Sequence, residues 1–331
     1  MKLCDLSILQ EQKTLLAFSG GADSTSVFYS LIDAGISFDI AIVHYGLREQ
    51  ADEELDSAQK LAKKHNLKCH FLKPPKIEQN FEYKARKIRY DFFESLIKEF
   101  NYTFLLTGHH IQDRLEWMLM QLCKGAGSAE LLGMTQIEKR EKYTLLRPLI
   151  DRSKEEIVSY LENKNISWFH DESNDDTKYK RNYFRHSIVN ELIKDNLDGI
   201  RQSFNYLEED VLELIKEAQV HHADDMSMFK STSNRRSDIY HIDKILKSKN
   251  YMISASQRLE LKSVDELVVG RKFLIVFKNG FVYICPFVKE TMDKEFKEEC
   301  RRLNVPNKLR PYLFISPAAF ILFTRFMPCD I

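Results

Sequence analysis

No close pair of cysteines occurs in this chain: Cys4, Cys69, Cys123, Cys285, Cys300 and Cys329 are scattered, with no Cys-x-x-Cys spacing. That excludes a zinc knuckle or a dithiol redox motif and leaves scattered reduced thiols. No apolar run approaches the ~18 residues a membrane helix needs. Met1 to Gln10 includes Asp5 and lacks the basic-then-apolar order of a secretion signal, so a soluble, cytoplasmic protein is expected. There is no excess of either charge, with 49 basic against 49 acidic side chains, so net charge names no partner and a nucleic-acid surface would need locally clustered Lys and Arg. The Gly-Lys-Ser/Thr ending of the kinase-type phosphate loop is also absent.

What is present is length and pattern. A chain of 331 residues that is 44% hydrophobic exceeds one ordinary domain, and two or three are expected. From Lys13 to about Ile150 short apolar runs (Thr14 to Phe18, Phe38 to Val43, Lys68 to Leu72, Thr103 to Leu106) alternate with stretches of helical spacing (Ser24 to Asp33, Asp52 to His65, Glu82 to Phe100, Asp113 to Cys123). This alternation predicts an α/β fold, a parallel sheet covered by helices on both faces. Ser153 to Lys164 reads as a further helix, His170 to Lys180 as loop, and Arg181 to about Lys216 as mainly helical. After the polar patch Ser231 to Ser237 the pattern turns to strands, clearest from Phe273 to Ile284, where Asn279-Gly280 suits a hairpin turn. The division expected is a nucleotide-binding domain over 1–186, a helical unit over 187–237 and a small α+β domain over 238–331.

In such sheets ligands bind beyond the carboxyl ends of the strands. Two loops there carry chemistry. Ser19-Gly20-Gly21-Ala22-Asp23-Ser24-Thr25 lies between a strand and a helix. Paired glycines let backbone approach a phosphate, helix N-terminal N–H groups favour its charge, and Ser19, Ser24 and Thr25 add hydroxyls. Asp23 suits the magnesium ion that accompanies ATP. The second loop, Thr107 to Glu116, puts Asp113 and Glu116 three apart on one helix face, where two acids can hold a cation. Either His109 or His110 is a candidate nucleotide contact. Arg181 and Arg185, four apart beside Lys178 and Lys180, form a basic face suited to phosphates.

The first string resembles the PP-loop of the ATP pyrophosphatase superfamily, which cleaves ATP between the α and β phosphates. The second, with Lys124-Gly125-Ala126-Gly127 and Gly133-Met134, resembles a signature of the tRNA(Ile)-lysidine synthetases. Similar agreement runs through Gly46-Leu47-Arg48, Asn80-Phe81-Glu82, Ala85-Arg86, Arg89-Tyr90, Arg147-Pro148-Leu149, Asp171 to Asn174, Arg181-Asn182 and Arg185, and more thinly through Val305-Pro306 to Arg310. Gln112 stands where the family usually has an acid, Trp117 where Thr is common and Tyr45 where His is common.

The resemblance implies attack of the wobble cytidine's C2 oxygen, in an isoleucine tRNA with a CAU anticodon, on the α phosphate of ATP. Diphosphate leaves, and the side-chain amine of free L-lysine then displaces AMP. It implies ATP contacts from Ser19 to Thr25 and His109, magnesium at Asp23, and catalytic roles for Asp23, Asp113 and Glu116, the last two also holding lysine, with one of them taking its proton. tRNA contacts fall to Lys124, Arg181, Asn182, Arg185 and Arg310, the last among Arg301, Arg302 and Lys308. A second copy of the chain is an expected partner, since relatives of this type are often dimers. The alternatives are another PP-loop enzyme, such as a tRNA thiolase or amide-forming ligase, and a tRNA-binding protein without activity.

Overall fold

The computed structural model describes residues 6–46, 50–77, 79–170 and 180–326. Cys4, Leu47, Arg48, Asp171 to Asn174, Lys178, Cys329 and the side chains of Glu82 and Lys180 lie outside the described residues. Two compact units divide the chain, Met1–Glu208 and Glu209–Ile331.

The first unit runs β1 (Thr14–Ala17), α1 (Ala22–Asp33), β2 (Asp39–Val43), α2 (Gln50–Lys64), β3 (Cys69–Leu72), α3 (Phe81–Phe100), β4 (Phe104–Leu106), α4 (Ile111–Leu122), α5 (Ser128–Leu132), β5 (Ile137–Lys139), β6 (Thr144–Leu146), α6 (Lys154–Asn163) and α7 (Lys180–Phe184), with α8 (Asn190–Leu214) continuing past its end. The sheet order is β3-β2-β1-β4-β6-β5, parallel except for the edge strand β5.

Adjacent residues of each central strand point to opposite faces. Leu16, Ile40, Ile42, Leu106 and Leu146 face one core with Val27, Phe28 and Leu31 of α1 and Ile157 and Leu161 of α6. Leu15, Ala41, Leu105 and Leu145 face a second core with Phe93, Leu96 and Ile97 of α3. Burial on both faces is why these strands read as continuous apolar runs rather than alternating ones.

The second unit carries β7 (Val220–Ala223), β8 (Met226–Lys230), α9 (Arg235–Ser248), α10 (Ala255–Glu260), β9 (Glu266–Val269), β10 (Phe273–Lys278), β11 (Phe281–Pro286), α11 (Lys294–Arg302), α12 (Arg310–Ile315) and α13 (Pro317–Arg325). Its antiparallel sheet is ordered β7-β8-β11-β10-β9. Phe229, Ile275, Val282 and Ile284 pack against Ile239, Ile242 and Leu246 of α9 on one face. Met228, Leu274, Val276 and Tyr283 pack against Cys300, Leu313 and Phe323 on the other.

These units differ from the three-part division read from sequence. Val189, Ile193 and Phe204 close a cluster with Ile111 and Leu115 of α4, so the first half of the helical stretch is core of the nucleotide-binding unit. At the other boundary, β7 and β8 precede residue 238 yet belong to the C-terminal sheet, because β8 pairs with β11 from Lys230↔Phe281 to Ser227↔Ile284. The polar patch at Ser231 to Ser237 is the cap of α9, where the Asn234 side chain accepts from the backbone N–H groups of Arg236 and Ser237.

Candidate active site

Strand order reverses at β1, with β2 on one side and β4 on the other. The loops after β1 and β4 therefore lie side by side at the carboxyl edge of the sheet, where ligands bind in such folds. The phosphate loop follows β1, and the Thr107 to His110 loop follows β4.

The phosphate loop is held by its own hydroxyls. Thr25 Oγ1 donates to the Gly20 carbonyl (3.2 Å), Ser24 Oγ donates to that of Gly21 (3.2 Å), and Ser24 Oγ also accepts from the Ser19 N–H (3.1 Å). These side chains, read from sequence as phosphate donors, thus shape the loop. Gly20 has φ +77, a left-handed conformation that a Cβ would strain, and its carbonyl accepts from the Phe169 N–H at 3.0 Å.

The second loop touches the first. A Cβ on Gly108 would lie 3.0 Å from the Asp23 Cβ and 3.2 Å from the Ser24 nitrogen, so any larger residue would have to push the two loops slightly apart. Beside it, His109 Nδ1 hydrogen-bonds Thr107 Oγ1 (2.8 Å), and burial pushes the imidazole down to about 3. His109 is therefore neutral near pH 7 and offers a hydrogen bond rather than positive charge.

Asp113 and Glu116 are buried in the first turns of α4, not solvated. The cations they hold are Arg181 and Arg185. Arg181 reaches Glu116 Oε2 through Nε (2.8 Å) and Asp113 Oδ1 through Nη2 (2.9 Å). Arg185 Nη2 reaches Asp113 Oδ1 (2.9 Å), and its Nε bonds Glu116 Oε1. Arg185 opens a wide, five-residue helical turn between α7 and α8, closed by the Asn190 N–H donating to the Arg185 carbonyl. Burial opposes ionisation of Asp113, but the fields of His110, Arg181 and Arg185 outweigh it and hold its carboxyl well below the usual carboxylate range. A carboxylate so depressed is a poor proton acceptor at neutral pH, so of the two acids expected to share that role Asp113 is the less suited to take a proton. The basic face read at Arg181 and Arg185 is neutralised by the acids it meets, although both guanidiniums remain partly exposed.

One residue not singled out in sequence, Lys154, joins this centre, and Gln112 supports it. Lys154 Nζ lies 2.6 Å from Asp23 Oδ1, so the carboxylate assigned to magnesium has a protein counter-ion. Gln112 explains its own departure from the acid usual in the family. Its Oε1 accepts from the Lys154 N–H (3.2 Å) and meets His110 Nδ1 (2.9 Å), while its Nε2 faces Glu155 Oε2 (3.4 Å). An acid at 112 would face Glu155 with like charge. Arg86, quoted above without a role, lies close enough for its charge to act on His109.

Other expected residues are placed less centrally. Asn182 sits on α7 between the two arginines, and Lys124 is exposed just after α4. Arg310 belongs to the second unit, where its Nε donates to the Val305 carbonyl (2.9 Å). Arg147 is buried and ties Glu138 (2.7 Å) and the Thr135 carbonyl (2.8 Å) of the sheet edge. Tyr45 donates to the Ala85 carbonyl (2.7 Å), linking β2 to α3. Trp117 lies over Gly133, where a Cβ would come within 2.1 Å of the ring. Among the described residues no group of three or more His, Cys, Asp or Glu side chains is arranged to hold a metal ion. No described helix is long and apolar enough to cross a membrane.

A family model described as a PP-loop domain matches residues 2–192. With the glycine loop at the carboxyl edge of the sheet, that match defines an ATP-using enzyme of the PP-loop class. The chain is 43% identical over 327 residues to the tRNA(Ile)-lysidine synthase of Helicobacter pylori (strain ATCC 700392 / 26695), covering 97% of this chain and 96% of that protein. It is 40% identical to the tRNA(Ile)-lysidine synthase of Campylobacter jejuni (strain RM1221), covering 93% and 94%. Among solved structures, the U34-tRNA thiolase NcsA from Methanococcus maripaludis aligns with a TM-score of 0.51 at 17% identity, over 62% of this chain and 73% of that one, a likeness of fold. This chain belongs to the tRNA(Ile)-lysidine synthase family.

Proposed function

We infer that this chain joins the side-chain amine of free L-lysine to C2 of the wobble cytidine in an isoleucine tRNA with a CAU anticodon, with ATP cleaved to AMP and diphosphate. The observation that carries this reading is the pair Asp113 and Glu116, buried, bonded to two arginines, and joined to the phosphate loop through the Gly108 contact.

Free lysine carries one carboxylate and two ammonium groups at neutral pH. A cluster of two acids and two partly exposed guanidiniums offers partners of both signs. The guanidiniums bind a carboxylate in fork geometry and the acids bind an ammonium. The depressed Asp113 carboxyl keeps its negative charge throughout, so its part is to hold the amine near the reacting carbon, while Glu116, the other acid, takes the proton that the ammonium must lose before it attacks.

Gly20, Gly21 and the first turn of α1 present N–H groups to the polyphosphate. The Asp23 side chain is 32% exposed, and one carboxylate plus nucleotide phosphates is a fitting ligand set for magnesium. When bound there, magnesium supplies positive charge to the departing diphosphate. His109 contributes a neutral hydrogen-bonding group to the nucleotide. Lys124, Arg181, Asn182 and Arg185 of the first unit and Arg310 of the second are the proposed tRNA contacts. Homodimer formation belongs to the same proposal and is read by sedimentation.

The test is AMP and diphosphate formation from ATP, magnesium, lysine and tRNA transcripts. Product is expected with a CAU transcript and not with one whose wobble base is uracil. Equal AMP release without tRNA would contradict the reading.

A further inference from the structure

The phosphate loop holds no cationic side chain between Ser19 and Thr25. Its three hydroxyls are engaged within the loop. Of the nearby arginines, Arg181 and Arg185 are bonded to Asp113 and Glu116, Arg147 to Glu138, and Arg114 to Asp151 and Glu208. Cleavage of ATP between the α and β phosphorus atoms builds negative charge on the departing diphosphate, which needs a cation. Lys154 is a cation that does reach the loop, from 131 residues away.

Its position is built. Lys154 is the first residue of α6, whose start is fixed by a reciprocal cap, with Ser153 N–H donating to Glu156 Oε2 (2.8 Å) and Glu156 N–H to Ser153 Oγ (3.3 Å). The Lys154 N–H is bound by Gln112 Oε1. The backbone is thus held at two points while the ammonium, on a 41% exposed side chain, extends to Asp23.

We propose that Lys154 is a nucleotide-binding residue of the ATP site, a lysine supplied by α6 in place of the one that kinase-type loops carry themselves, and that it shares Asp23 with the magnesium ion of the nucleotide. A divalent ion at Asp23 competes with the ammonium for one carboxylate, and the displaced ammonium then faces the polyphosphate on a flexible four-carbon stem. Lys154 contacts the β and γ phosphates, the part of ATP that AMP lacks. This inference rests on the assignment of ATP to the phosphate loop.

The experiment is calorimetric titration of the full chain with magnesium and either an ATP analogue bearing a methylene between the α and β phosphorus atoms, or AMP. Wild type, Lys154→Met and Lys154→Arg are compared, with thermal unfolding run on each. Lys154→Met is expected to lose about ten- to hundredfold in analogue affinity while AMP binding stays within about threefold. Lys154→Arg, which keeps the charge, retains most analogue affinity. Equal losses for analogue and AMP, or no loss of either, would make Lys154 a structural counter-ion of Asp23 and overturn the proposal. If wild type bound neither nucleotide, the ATP assignment itself would fall, a result distinct from wild-type binding that survives in Lys154→Met.

Discussion

Gly108 and Asp23 approach so closely that a methyl group on Gly108 would sit 3.0 Å from the Asp23 Cβ. The contact joins the loop after β4 to the loop after β1, and with it the acids Asp113 and Glu116 to the phosphate loop. Gly108→Ala must push one loop away from the other. Overpacking of this kind costs about 1–3 kcal/mol. We predict at least a tenfold fall in kcat/KM for ATP, measured by AMP release, with a fold that remains cooperative in thermal unfolding. Unchanged kinetics would show that the approach is incidental.

Gln112 and Glu155 form a second checkable pair. Gln112→Glu keeps the shape and the acceptor for the Lys154 N–H, but loses the amide donor and sets two carboxylates about 3.4 Å apart. A loss of about 1–2 kcal/mol in stability is expected, with reduced ATP affinity. Adding Glu155→Gln should recover most of it, because the donor then comes from the other side. A double variant no better than the single one would break the pairing argument.

His109 sets a pH dependence whose sign is fixed. Its folded value, about 3, lies below the ordinary histidine value near 6.5, so the unfolded chain takes the proton first as pH falls. Its contribution is therefore full above about pH 6.5 and is lost progressively toward pH 3. Between pH 7 and 5 wild type should lose about 1–2 kcal/mol more than His109→Asn, read by urea denaturation at each pH. Parallel curves for the two proteins would remove His109 as the cause.

Arg114 is 1% exposed, stacks 4.1 Å from the Phe204 ring centroid, and bridges Asp151 (3.3 Å) and Glu208. Both acids are a third or more exposed, so they are rehydrated in its absence and the cost is mainly lost packing of α8 on α4. Arg114→Ala should lower unfolding free energy by about 2–3 kcal/mol in urea titration. A change under about 0.5 kcal/mol would mean that the helical stretch is not anchored there.

The sequence made the nucleotide-binding sheet legible because buried parallel strands such as Leu15-Leu16 and Leu105-Leu106 are short apolar runs followed by glycine-bearing loops. Asp113 and Glu116 were legible as a pair because a three-residue spacing fixes a common helix face. Their partners were not, since Arg181 and Arg185 arrive from a helix more than 60 residues away and exposed arginines look alike in sequence. Lys154 carried no local signal either, as a lysine at the start of a helix is ordinary. The β7 and β8 hairpin was hidden by its histidines and by the polar cap of α9, which imitates a linker.

The central claim is that the cluster of Asp113, Glu116, Arg181 and Arg185 delivers lysine to an activated cytidine. Its most direct test is incorporation of labelled lysine into a CAU isoleucine transcript, with ATP and magnesium, by wild type and by Asp113→Asn. The account predicts labelled wobble cytidine with wild type. With the variant it predicts a loss of at least a hundredfold at subsaturating lysine, about 2.7 kcal/mol, while tRNA-dependent release of diphosphate persists. Lysine incorporation by Asp113→Asn at the wild-type rate, or none by wild type while ATP is still cleaved, would contradict it.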